Sequence, residues 1–304
     1  MRIERLSLRN EPFIAKLSGR FGPRTGSLAL PIGLALVGIA WTIAWAGPEP
    51  VRWYTFFPLW FGYILSVDGL NLRLSGRSFL TSSPRQFAGM FVISMPLWWI
   101  FEALNLRLDN WTYHLPLDYP PVVYAILASI AFSTVVPAVL ETAALYQSFS
   151  ISWMQRRTRP RDLHRRTLFG AIGAGLVMLA LVALFPLQAF PLTWLSLFFV
   201  IDPINALAGR PSLIVQAASG QWSTVMALGC AGLTCGLFWE LWNYWSMPKW
   251  TYDVPYVGVF KLFEMPILGY GGYVPFAFEI FALVSLVSAW IPSMRSILPG
   301  DVSI

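Results

Sequence analysis

The sequence predicts an all-α polytopic membrane protein of about eight transmembrane helices. They form two tandem four-helix repeats related by a pseudo-twofold axis along the membrane normal. Three observations predict it. First, 56% of the 304 residues are hydrophobic and only 12% are charged, with a mean hydropathy of +0.59. A soluble domain carries roughly 25% charged residues, so this chain lacks the polar surface that water requires and lipid must cover it. Second, eight stretches reach the roughly 20 apolar residues that a bilayer core needs, near 27–46, 53–72, 87–107, 124–152, 167–187, 190–208, 223–244 and 267–292. Third, the chain repeats itself at an offset of 133 to 139 residues.

In chain order, residues 1–26 form a basic segment with Arg2, Arg5, Arg9, Lys16, Arg20 and Arg24. It lacks the apolar run and cleavage site of a signal peptide, so the first apolar stretch is expected to stay as a helix. The first transmembrane repeat is expected over 27–152, a basic loop over 153–166, the second repeat over 167–292 and a tail over 293–304. Seventeen of the 21 Lys and Arg residues fall on one side of this topology; Arg52, Arg107, Lys249 and Lys261 fall on the other. The positive-inside rule then puts both termini in the cytoplasm of a cell with this protein in its inner membrane. The basic cluster at 155–166 reads as a topology anchor touching membrane lipids, so the net charge of +6 implies no nucleic-acid partner.

The repeat is carried by polar positions. VDGLNLRLSGRSFL (67–80) matches IDPINALAGRPSLI (201–214), pairing Asp68 with Asp202, Asn71 with Asn205 and Arg77 with Arg210. FEALN (101–105) matches WELWN (239–243), pairing Glu102 with Glu240 and Asn105 with Asn243. The triplet Trp111-Thr112-Tyr113 matches Trp250-Thr251-Tyr252, and VPAVLETAAL (136–145) matches VPFAFEIFAL (274–283), pairing Pro137 with Pro275 and Glu141 with Glu279. Helices 2–4 and 6–8 hold every repeated motif, which leaves helices 1 and 5 as outer supports.

Buried carboxylates cost several kcal/mol unless they find partners or stay protonated, so these six acids are candidate functional groups. Each of Asp68, Glu102 and Glu240 has an Asn three residues later on the same helix face, placed to bond it. Pro137 and Pro275 are expected to kink their helices and free the carbonyls of Ser133 and Gly271 beside Glu141 and Glu279. The candidate catalytic set is therefore Glu240, Glu279, Asn243, Glu102, Glu141 and Asn105. The candidate substrate-binding set is Trp239, Trp250, Tyr252, Asp202, Asn205, Asp68 and Asn71. The W-T-Y loops are expected to anchor in the interfacial belt. FKLFEMPILGYGGY (260–273) reads as a re-entrant or interfacial turn with Lys261 and Glu264 at helical spacing. The second half holds the fuller aromatic and polar set, so an active site is sought there first.

Several chemistries are disfavoured. His114 and His164 are the only histidines and lie in polar stretches, which argues against bis-histidine haem, a histidine-box iron enzyme and ordinary zinc ligation. Cys230 and Cys235 stand about 140° apart around one helix and read as packing residues. No Walker loop or dinucleotide fingerprint occurs, so no cofactor or metal is expected.

The run WELWNYWSMPKWTYDVP (239–255) followed by YVPFAFEIFALV (273–284) resembles a repeat unit of the membrane lycopene cyclases of bacteria, archaea and fungi. The runs W-E-x-W-N, P-K-W-x-Y and F-E-M-P-x-L-G-Y also resemble those of bacterial multi-pass membrane proteins. The cyclase resemblance implies a redox-neutral, proton-initiated reaction on an isoprenoid double bond. Glu240 would stand for the family's Trp-adjacent acid and Glu279 for one member of its Glu-Glu pair. This chain differs in having Phe278 at the neighbouring acid position, Glu for Asp, and four helices per half.

Three functions follow. The first is a cofactor-independent acid–base enzyme acting on an isoprenoid or other apolar lipid. The second is a cation- or proton-coupled transporter using the paired acids. The third is a structural membrane subunit, whose sign would be apolar packing with no cavity between the halves.

Overall fold

The computed structural model describes residues 28–149, 151, 153–154 and 157–298. The basic N-terminal segment and residues 299–304 of the expected tail lie outside them. The first half runs α1 (Ala29–Ala46), α2 (Phe56–Ser75), α3 (Phe79–Ser82), α4 (Pro84–Leu108), β1 (Trp111–His114), α5 (Pro121–Phe132) and α6 (Val135–Ser148). The second runs α7 (Arg165–Leu184), α8 (Pro186–Ala189), α9 (Thr193–Leu207), α10 (Leu213–Ala218), α11 (Ser223–Asn243), β2 (Lys249–Tyr252), β3 (Lys261–Leu262), β4 (Met265–Pro266) and α12 (Tyr273–Val287).

Seven of these segments are long and apolar enough to cross a bilayer, which makes the chain a multi-pass membrane protein by length and composition. They are α1, α4, α5 with α6, α7, α8 with α9, α11, and 267–287. The stretch expected at 53–72 is helical too, as α2, but Asp68, Asn71 and Arg73 dilute its hydropathy. It is instead one of the most buried helices, with an unbroken buried run from Gly62 to Gly69. The shared core joins α2, α4, α6, α9, α11 and α12. α1 lies along α2 and α7 along α9, each burying only a few positions, which suits outer supports.

Where the structure departs from the sequence expectations, the backbone explains it. The span expected at 124–152 breaks between Phe132 and Val135, and Ser94 of α4 bridges the break: its hydroxyl donates to the Phe132 carbonyl (2.5 Å) and accepts from the Val136 amide (3.1 Å). Pro137 and Pro275 do not kink helices. Each is the third residue of its helix, where an amide has no intrahelical acceptor, so proline starts the helix at no hydrogen-bond cost. The expected 267–292 helix is α-helical only from Tyr273; a 3₁₀ turn over Ile267–Gly272 precedes it. Lys261 does not pair with Glu264, because a β3–β4 hairpin turns between them; Glu264 instead meets Lys249 at 2.5 Å. Residues 293–298 of the expected tail pack onto the helices. A 3₁₀ turn at Pro292–Ile297 buries Met294, Ile297 and Leu298, with Met294 reaching Gly89 of α4.

Candidate functional site

The W-T-Y triplets build the site by pairing with each other. β1 and β2 are antiparallel with Thr112 opposite Thr251, Trp111 opposite Tyr252 and Tyr113 opposite Trp250. Residues that match in sequence therefore sit symmetrically about the Thr112–Thr251 pair. The ladder holds the two triplets together, with Trp111 buried and Tyr113, Trp250, Thr251 and Tyr252 half-buried.

Each strand is tied to the helix before it by the repeated Asn. Asn105 Nδ2 donates to the Trp111 carbonyl (2.8 Å), and its Oδ1 accepts from the amides of Asn110 (2.9 Å) and Trp111 (3.3 Å). Asn243 does the same to Trp250, donating to its carbonyl (2.7 Å) and accepting from its amide (2.9 Å). The expected Asn–acid pairs three residues apart do not form: Asn105 and Asn243 are used on the strand backbone, and Asn71 bonds Glu141.

The acids take tyrosines instead. Glu102 Oε1 accepts from the Tyr113 hydroxyl (2.6 Å), from Trp98 Nε1 (2.7 Å) and, at longer range, from Trp111 Nε1 (3.3 Å). Glu240 Oε1 accepts from the hydroxyls of Tyr252 (2.7 Å) and Tyr273 (2.5 Å), while Trp250 Nε1 donates to the Tyr252 hydroxyl (2.8 Å). Glu240 is fully buried, and its Oε2 receives no hydrogen bond among the described residues. Burial first, and the neighbouring carboxylate second, push the Tyr113 and Tyr252 hydroxyls well above the usual tyrosine range. Both stay protonated donors at neutral pH.

The difference between the two acids traces to one position. Four residues before Glu102 stands Trp98, whose indole bonds the acid; four residues before Glu240 stands Gly236. A Cβ at Gly236 would overlap the Tyr273 ring, and one at Gly232 would overlap the Tyr273 carbonyl. The two glycines thus admit α12 against α11 and let Tyr273 take the place that Trp98 holds in the first half.

Against this frame lies a cavity of about 450 Å³ to which both halves contribute. Trp98, Trp111, Trp194, Trp239 and Trp250 line it with Phe56, Phe132, Phe190 and Phe276. In that wall Phe276 touches three of the tryptophans, with ring centroids 5.8 Å from Trp98, 6.0 Å from Trp194 and 6.1 Å from Trp239. The polar side chains in the wall are few: Asn110 and the three tyrosines Tyr113, Tyr252 and Tyr273, which bond the acids behind the wall. Leu268, Gly269, Gly271 and Gly272 line the cavity too, with Val254, Val257 and Met265.

Of the sequence candidates, Trp239, Trp250 and Tyr252 line this cavity. Glu240, Glu102, Asn243 and Asn105 stand just behind it. The others lie elsewhere. Asp202 accepts from the Leu213 (2.9 Å) and Ile214 (2.9 Å) amides and the Ser212 hydroxyl (2.7 Å), at the start of the short helix α10. Asp68 accepts from the Leu80 amide (2.9 Å) at the start of α3. Asn205 donates to the Ala282 carbonyl (2.8 Å) and Asn71 to Glu141. Glu279 Oε1 accepts from the Leu197 amide of α9 (3.2 Å). Sequence reasoning missed Trp98, Trp194 and Phe276. The signal that points to Trp98 is its mismatch with Gly236 in an otherwise matched segment.

Compared with family models, with curated proteins and with solved structures, the chain matches none.

Proposed function

We propose that this integral membrane protein is a cofactor-independent acid–base enzyme acting on an isoprenoid or other apolar lipid, with the cavity between its halves as the substrate site. The observation that carries the reading is the wall itself: five tryptophans and four phenylalanines around about 450 Å³, with polar groups confined to a few hydroxyls and one amide. An apolar chain end gains by entering such a wall, and a cation formed on it gains further from the indole faces. A scaffold calls for no cavity there. A cation path calls for acids in the wall, whereas Asp68 and Asp202 are turned to helix-start amides.

In this reading Glu240 is the proton store and Tyr252 and Tyr273 carry its proton to the cavity. Protonation of a carbon–carbon double bond leaves a carbocation over the tryptophans, and a proton lost from a neighbouring carbon returns through the same tyrosines to the Glu240 carboxylate, which completes a cyclisation or isomerisation with no redox change and restores the acid. The resemblance to membrane lycopene cyclases supports this chemistry, with Glu240 in the role of the Trp-adjacent acid. The matched bonds of Asn105 with Asn243 and of Glu102 with Glu240 support a tandem duplication in which α2 completes eight spans. The charge bias supports an inner-membrane protein with cytoplasmic termini and the β1–β2 pair toward the outer face.

The test is mass spectrometry of lipids extracted from cells that carry the gene, lack it, or carry Glu240→Gln. A lipid converted to an isomer or cyclised product only with intact Glu240 is the expected result. An unchanged lipid profile across all three strains overturns the proposal.

A further inference from the structure

The second buried polar cluster, away from the cavity, joins α2 to α6. Asp68, Asn71 and Glu141 are each 98% or more out of solvent contact, and the two carboxyls lie within hydrogen-bonding reach of each other. Asn71 Nδ2 donates to both the Glu141 carbonyl (3.1 Å) and Glu141 Oε2 (2.8 Å), which fixes the amide and leaves Oδ1 as its free acceptor. Three oxygens are then left over: Asp68 Oδ1, Asn71 Oδ1 and Glu141 Oε1 all lack a hydrogen-bond donor among the described residues. Buried oxygens without partners are rare in folded proteins, and three in one cluster, two of them from acids, call for positive charge, as a proton shared by the two carboxyls or as a bound cation.

The corresponding place in the second half supplies that charge from the chain. There Arg210 Nε donates to Asn205 Oδ1 at 2.9 Å, and Asp202 has both oxygens taken by donors. Glu279 has turned away to the Leu197 amide. In the first half Asn71 Oδ1 accepts from no donor among the described residues. One half thus seats a guanidinium, a single positive charge, on its Asn carbonyl, whereas the other presents the same carbonyl with two carboxyl oxygens beside it. We infer that Asp68, Asn71 and Glu141 form a site for one small monovalent cation, Na⁺, held by oxygen ligands alone. The ion locks α2 to α6, and the inference does not depend on what the aromatic cavity binds.

The experiment is thermal unfolding of the purified full chain in detergent, in NaCl against KCl and choline chloride at constant ionic strength. A bound ion stabilises the folded state by mass action, so Na⁺ is expected to raise Tm saturably by about 5 °C. Glu141→Gln and Asn71→Ala should each abolish the Na⁺ response, and Asp202→Asn should keep it. Binding of radioactive Na⁺ to the wild-type protein gives the same answer without any variant. A Tm that follows pH and ignores Na⁺ overturns the site, because the carboxyls then hold a proton in its place. A Na⁺ response that survives Glu141→Gln overturns it as well.

Discussion

Glu102 and Glu240 occupy matching places in the two halves, three residues before an Asn that ties down a W-T-Y strand, yet their surroundings differ. Glu102 is partly exposed and is held by Trp98, Trp111 and Tyr113. Glu240 is fully buried, held by two tyrosines of the cavity wall, and keeps one oxygen free. The backbone frame is the same in both. What separates them is Trp98 against Gly236: a large side chain closes one site, and its absence lets Tyr273 of another helix complete the other. Two like frames can therefore differ in chemistry through a single position one helical turn before the acid.

The largest effect should come from the acids. Glu240→Gln is expected to lower lipid conversion by about a hundredfold or more, the usual weight of a general acid, whereas Glu102→Gln should cost less than about tenfold. Product measured per unit of purified protein in lipid vesicles decides it, and equal losses would erase the functional contrast between the halves. A smaller effect is expected at Gly236. Gly236→Ala pushes a methyl group into the Tyr273 ring, so overpacking should cost about 2 kcal/mol in a detergent unfolding titration. An unchanged unfolding midpoint would mean that α12 does not depend on that close approach. The smallest contrast is expected at the two amides. Asn105→Ala and Asn243→Ala each leave strand groups unpaired, at about 2 kcal/mol, and the two losses should agree to within about 1 kcal/mol. A large difference between them would show that the strands are not held in equivalent ways.

The sequence made the helices legible because a hydrophobic run of membrane length has few other uses, and the constant offset of 133 to 139 residues pointed to acids and amides that make like bonds, Glu102 with Glu240 and Asn105 with Asn243. The partners of those groups were not legible. Nothing in the spacing of Glu240 and Asn243 says that the acid turns to tyrosines 12 and 33 residues ahead while the amide turns to Trp250. Helical spacing shows which side chains share a face, and neighbouring elements decide what they meet. Pro137 and Pro275 misled for a related reason. Within a long apolar run a proline reads as a kink, but each of these begins a helix, and apolarity alone carries no sign of the break at Ser133 or of the 3₁₀ turn before Tyr273. That Asp68 and Asp202 serve the starts of α3 and α10 was not legible either, because these helices are only four and six residues long and leave almost no periodic trace.

The central claim is that the aromatic cavity holds an apolar lipid, and Gly271 offers the most direct test. It lies in the cavity wall, and a Cβ added there meets nothing within 4 Å, so a larger side chain would grow into open space rather than into the protein. Lipids that copurify with wild-type protein and with Gly271→Phe should be compared by mass spectrometry after matched detergent washing. The account predicts an apolar lipid enriched over the bulk membrane in the wild type and lost in Gly271→Phe, with the unfolding midpoint unchanged. The same lipid complement on both proteins would contradict it.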